Sequence, residues 1–170
     1  MEQVFERHEI LDNNTLIKAA NIYLSMSGHT KSKRVYLCIG YPYRGDSLGP
    51  FVGSLIEDYF KDNENIDVIG TIENPVTAKN IKDIIGKIDK DKEIVCIDAA
   101  YGICGSDYVK FVDRGIKPRL ALGDNIERVG NISLVGAISS LDDYNKQLVE
   151  DQAVFISHTI IKAEQLRGEN

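Results

Sequence analysis

The chain has 170 residues, 43% of them hydrophobic and 27% charged, three cysteines and a formal net charge of −6. This suits one globular domain, 1–170, large enough for its own core. The acidic balance and scattered basic residues argue against a nucleic-acid surface, and no apolar run approaches the roughly 18 residues of a membrane span. The start, Met1-Glu2-Gln3-Val4-Phe5-Glu6, lacks the basic and apolar regions of a signal peptide. Cys38 and Cys96 sit inside apolar runs, and an odd cysteine count favours reduced thiols and a cytoplasmic protein.

Taken in order, 14–27 reads as a first helix capped by Asn13 or Asn14, with Leu16, Ile17, Ala20, Tyr23 and Leu24 as its buried stripe and Gly28 as its end. Val35-Tyr36-Leu37-Cys38-Ile39, closed by Gly40, is the short apolar run of a buried parallel strand. Gly40, Pro42, Gly45 and Gly49 then supply turn chemistry, and Pro50 suits the first turn of a second helix. That helix would bury Phe51, Val52, Leu55, Ile56, Tyr59 and Phe60. A strand over 66–72 and a helix from Thr77 to Ile88 follow, before a second buried strand over 93–100. The segment 101–105 reads as a glycine-bearing loop, 108–112 as an edge or antiparallel strand, and 116–126 as a functional loop or broken strand. Ile132 to Ile138 is another buried run, and 144–166 carries apolar residues at helical spacing. The alternation predicts a three-layer α/β/α sandwich with a mostly parallel sheet and helices on both faces.

Two aspartates stand out. Asp46 lies in the loop after one buried strand, and Asp98 at the carboxyl end of another, where open α/β sheets bind ligands. If the strands are neighbours, the two carboxyls converge and their pKa values are driven apart, so that one serves as base and the other as acid. They could equally hold a divalent cation as oxygen ligands, or Asp46 could be a simple cap or Asx-turn. Ser47 has no Gly-x-Ser-x-Gly setting and no evident histidine partner. His8 and His29 sit in N-terminal segments and His158 falls in the C-terminal helix, where a lone histidine is more often solvated or packed than catalytic, and Cys104 has no evident base. The glycines of the first loop match neither dinucleotide nor Walker spacing.

Cys38-Ile39-Gly40 followed by Arg44-Gly45-Asp46-Ser47-Leu48-Gly49-Pro50, then Thr71-Ile72-Glu73-Asn74-Pro75-Val76 and Ile97-Asp98-Ala99, resembles the sporulation protein family called YyaC. That family is similar to germination protease and to hydrogenase maturation endopeptidases. The resemblance spans about 35–138 and implies their fold, with Asp46 and Asp98 as the catalytic pair and Gly40, Gly45, Ser47, Gly49, Gly102 and Gly123 around a protein or peptide substrate. It implies a sporulation-associated endopeptidase acting in the cytoplasm, forespore or spore interior. It calls for no cofactor, though a divalent metal and a homo-oligomer stay open. The metal-binding histidine of the hydrogenase relatives would fall near Lys117-Pro118, where this chain has none. Their glycine-rich loop reads here as Arg119-Leu120-Ala121-Leu122-Gly123-Asp124-Asn125. Two alternatives on the same fold are an inactive binding or regulatory protein and a metal-assisted hydrolase.

Overall fold

The computed structural model describes residues 1–27, 33–101, 107–117, 128–139 and 144–168. The elements in order are β1 (Glu2–Glu6), α1 (Arg7–Ile10), α2 (Asn13–Met26), β2 (Arg34–Cys38), a 3₁₀ turn (Arg44–Ser47), α3 (Leu48–Phe60), β3 (Ile66–Ile69), α4 (Ile81–Ile85), β4 (Glu93–Tyr101), β5 (Tyr108–Val112), β6 (Ile132–Ile138) and α5 (Lys146–Gly168). The six strands form one sheet in the order β1-β5-β6-β4-β2-β3. The pairs β2–β3, β2–β4 and β4–β6 are parallel, and β5 runs antiparallel to both β1 and β6.

The architecture is three-layer α/β/α, but its two helical layers are unequal. Tyr23 of α2, Val52 and Ile56 of α3, and Ile156 and Ile160 of α5 join Tyr36, Val95, Ile97, Phe111 and Leu134 in the larger core. The opposite face carries a smaller cluster of Leu37, Ile39, Val76, Ile81, Cys96 and Val129, covered by the five residues of α4 and by irregular chain. Thr77 and Asn80 bond each other in a turn, and the helix closes at Gly86, well short of the expected 77–88.

Other departures have local causes. α2, the helix expected over 14–27, is capped by Asp12, which accepts from the Asn14 N–H at 3.0 Å, one position before the expected asparagines. Ile17, Leu55 and Tyr59 keep the spacing of a buried stripe but are exposed, because each helix lies on the sheet along a narrower band. β1 escapes a pattern search, since Phe5 is its single fully buried residue; it packs 4.9 Å from Phe111 and 5.3 Å from Phe155. β1 takes the sheet edge and leaves β5 one strand inside it.

Two contacts hold β2 in place. At its start, buried Arg34 donates from Nε to Glu93 at 2.7 Å and reaches Glu164 of α5 and Ser27. Tyr36 donates to the same Glu164 at 2.6 Å, and the Tyr23 and Tyr36 hydroxyls lie 3.0 Å apart. At its end, α3 lies almost backbone to backbone on the sheet. A Cβ on Gly49 would stand 2.2 Å from the Ile39 carbonyl oxygen, and one on Gly53 would stand 1.9 Å from that of Gly70. Gly53→Ala is therefore expected to lower unfolding free energy by roughly 1–3 kcal/mol. Urea denaturation measures this, and an unchanged midpoint would refute the close packing.

Candidate active site

The chain leaves β2 toward β3 and leaves β4 toward β5 and β6, so the two central strands send their connections in opposite directions. Such a switch point opens a crevice at the carboxyl ends of the strands. Asp46 comes off β2 through the 3₁₀ turn, and Asp98 sits within β4, whose neighbour is β2. Both carboxylates line one cleft of about 680 Å³. Its floor is the thinly covered sheet face.

Gly40 makes the turn out of β2 possible. Its φ is +143°, and a Cβ there would lie 2.1 Å from the Asp46 carbonyl oxygen. The Tyr41 N–H, next in the chain, reaches back to Asp46 Oδ2 at 2.7 Å. Tyr101, the last residue of β4, donates its hydroxyl to Asp46 Oδ1. Asp46 thus accepts one hydrogen bond on each carboxylate oxygen.

Asp98 is different. It accepts one bond, from the Ala99 N–H at 2.8 Å. Burial pushes its pKa up to about 7; the Ala99 bond opposes the rise and the Asp46 charge adds to it. Burial and the Asp46 carboxylate also push the Tyr101 phenol up, keeping it a proton-bearing donor. The arrangement is one carboxylate held by donors beside a second carboxyl that binds a proton near neutrality.

The other expected residues separate. Gly40 lines the cleft. Gly45 is buried beneath Tyr101 and Ile138, and Gly49 packs on Ile39, so both shape the loop from behind. Ser47 donates to the Arg44 carbonyl at 2.6 Å inside the turn. Gly102 and Gly123, like Cys104 and His29, lie outside the described residues. His8 and His158 are exposed on α1 and α5 and do not line the cleft. Among the described residues, no group of three or more His, Cys, Asp or Glu could hold a metal ion. The Gly40 and Tyr41 amides bond to Val76 O and Asp46, which removes them as donors to a developing oxyanion. Tyr101, which touches Asp46 in the cleft, was not among the expected site residues. It read as loop because Gly102 follows it, although β4 in fact continues through it.

The family described as "Protein of unknown function (DUF1256)" matches residues 7–162. The chain belongs to that family. It is also 31% identical over 110 residues to the "Uncharacterized protein YyaC" of Bacillus subtilis (strain 168), a match covering 62% of this chain and 53% of that protein. The chain therefore spans about half the length of this curated relative. The YyaC resemblance read from the two aspartate motifs is thus a family relationship. No solved structure matches the chain. No described helix is long and apolar enough to cross a membrane.

The Asp98 pKa has a consequence for stability. A carboxyl that binds its proton more tightly folded than unfolded stabilises the protein fully below about pH 4. That contribution fades as pH rises through about 7. The rise from 3.8 to about 7 corresponds to roughly 4 kcal/mol. Asp98→Asn, which keeps an acceptor for the Ala99 N–H, is expected to gain on wild type between pH 5 and pH 8. Urea unfolding at both pH values measures it; parallel pH dependence in the two proteins would refute the assignment.

Proposed function

We propose that the chain is a peptide-bond hydrolase in which Asp46 is the base and Asp98 the acid. The observation that carries this reading is the carboxyl at Asp98, poised near neutrality beside the doubly hydrogen-bonded Asp46 at the switch point of the sheet. A water between the two carboxyls gives a proton to Asp46, and its oxygen bonds to the substrate carbonyl carbon. As the C–N bond breaks, Asp98 passes its proton to the leaving nitrogen. The products are a carboxylic acid and an amine, and the proton on Asp46 returns to Asp98 to reset the pair. Tyr101 acts through Asp46 as a positioning residue. The sporulation setting and a cytoplasmic location belong to the same proposal and rest on the YyaC resemblance.

General acid and base groups each contribute roughly 10²–10⁴-fold to rate. Asp46→Asn and Asp98→Asn are therefore expected to cut cleavage of spore and precursor proteins by at least about 100-fold. Gel and mass-spectrometric assays of wild type and both variants decide it; equal rates in all three would end the proposal. Wild-type activity should also fall as pH rises through about 7, where Asp98 loses the proton it has to donate. Tyr101→Phe is expected to lower kcat roughly tenfold with KM little changed, as fits one lost hydrogen bond to a charged group. A change in KM alone would instead make Tyr101 a substrate contact.

A further inference from the structure

The cleft has a second end. Away from the aspartates it is lined by Lys110, Arg114, Lys117 and Arg128, an accumulation of positive charge in a chain whose net charge is −6. We propose that this end binds a carboxylate-bearing stretch of the peptide substrate, a few residues from the bond at which Asp46 and Asp98 act. The placement of the bond rests on the hydrolase reading; the binding itself does not.

The cations share the face on which Asp98 stands. Lys110 pairs with Val135, and Val135 pairs with Asp98, so the three residues lie in register on adjacent strands. Two inter-strand steps separate Lys110 from Asp98 by about 10 Å, or about three residues of extended peptide. Lys110 is engaged by Glu2 at 2.6 Å. Arg114 and Lys117 are exposed and have no ion-pair partner among the described residues. Arg128 uses one nitrogen to donate to the Gly115 carbonyl at 2.9 Å, and a guanidinium has further donors.

The cationic lip is built by the fold. Ile116 and Val129 exchange backbone bonds of 3.0 and 2.9 Å, which ties the segment carrying Arg114 and Lys117 to the one carrying Arg128. Ser133 of β6 donates its hydroxyl to the Arg114 carbonyl and fastens the same lip to the sheet. Arg114, Lys117 and Arg128 are thus held together along the cleft.

Charge complementarity selects the occupant. A uniform polyanion such as single-stranded nucleic acid would put phosphates against Asp46 as well as against the cations. A peptide can place Glu or Asp at the cationic end and neutral backbone at the acidic end, which satisfies both.

The test uses fluorescein-labelled ten-residue Gly/Ala peptides carrying either Glu-Glu or Gln-Gln at their centre. Peptide binding is read by anisotropy with the full chain carrying Asp46→Asn and Asp98→Asn, so that no turnover intervenes, and oligothymidylate binding is read with wild type, which keeps both acidic charges. The Glu peptide is expected to bind at least tenfold more tightly, with the preference shrinking at high salt. Adding Arg114→Gln and Lys117→Gln, with circular dichroism confirming the fold, should bring the two peptides to equal affinity. Undetectable binding of the Glu peptide, equal binding of both, a preference that survives the charge removal, or tighter binding of a ten-nucleotide oligothymidylate would each overturn the proposal. A Glu preference together with equal cleavage rates of spore and precursor proteins by wild type and the aspartate variants would sink the hydrolase and leave this inference standing; aspartate-dependent cleavage without the preference would do the reverse.

Discussion

The close approach of α3 to the ends of β2 and β3 governs the candidate site. Gly49 and Gly53 leave no room for a side chain between helix and sheet, so the helix axis and the turn that precedes it are set by backbone contact. The Asp46 loop therefore has little freedom. Gly40 turns the chain, the Tyr41 N–H returns to the carboxylate, and Tyr101 closes the other side from the neighbouring strand. A wider helix-to-sheet separation would carry Asp46 away from β4 and uncouple it from Asp98.

The opposite end of β2 is anchored by different physics. Arg34 and Glu93 start adjacent strands and form a buried ion pair, with Glu164 and Ser27 taking further guanidinium donors. Such a cluster stabilises little beyond an apolar equivalent, yet it tolerates only the pairing in which every member is satisfied. It holds β2 beside β4 and under α5. The strand is fixed at its start by charge and at its end by close packing, and the aspartates inherit their proximity from that pairing.

The unequal helical layers explain why a cleft exists. Three longer helices cover one face, while the other carries α4 and irregular chain. Alternation along β4 places Val95, Ile97 and Ala99 under the helices and Cys96 and Asp98 on the thin side. One residue of register would reverse this. The Cys96 thiol on that face is buried and pushed up to about 12 by its apolar surroundings, so it is no nucleophile. Asp98, two residues on, lines the cleft.

Much of this was legible locally. Val35–Ile39, 93–100 and 132–138 announced themselves as buried strands because parallel strands are apolar on both faces. Gly40 and Pro50 bracketed the Asp46 loop for equally local reasons. The sequence misled where a residue type is ambiguous outside its neighbourhood. Leu55 and Tyr59 read as core and prove exposed; β1 has too few buried residues to show a period.

By itself, the sequence determined that one aspartate follows a buried strand and another lies near the end of a second, since short apolar runs and glycine turns are properties of a few consecutive residues. Only the tertiary structure decided that those strands are neighbours, that Tyr101 reaches Asp46, and that Lys110, Arg114, Lys117 and Arg128 share the cleft. Strand order and the choice of covered face are settled by packing between residues far apart in the chain, and no local pattern encodes which partner a strand will find.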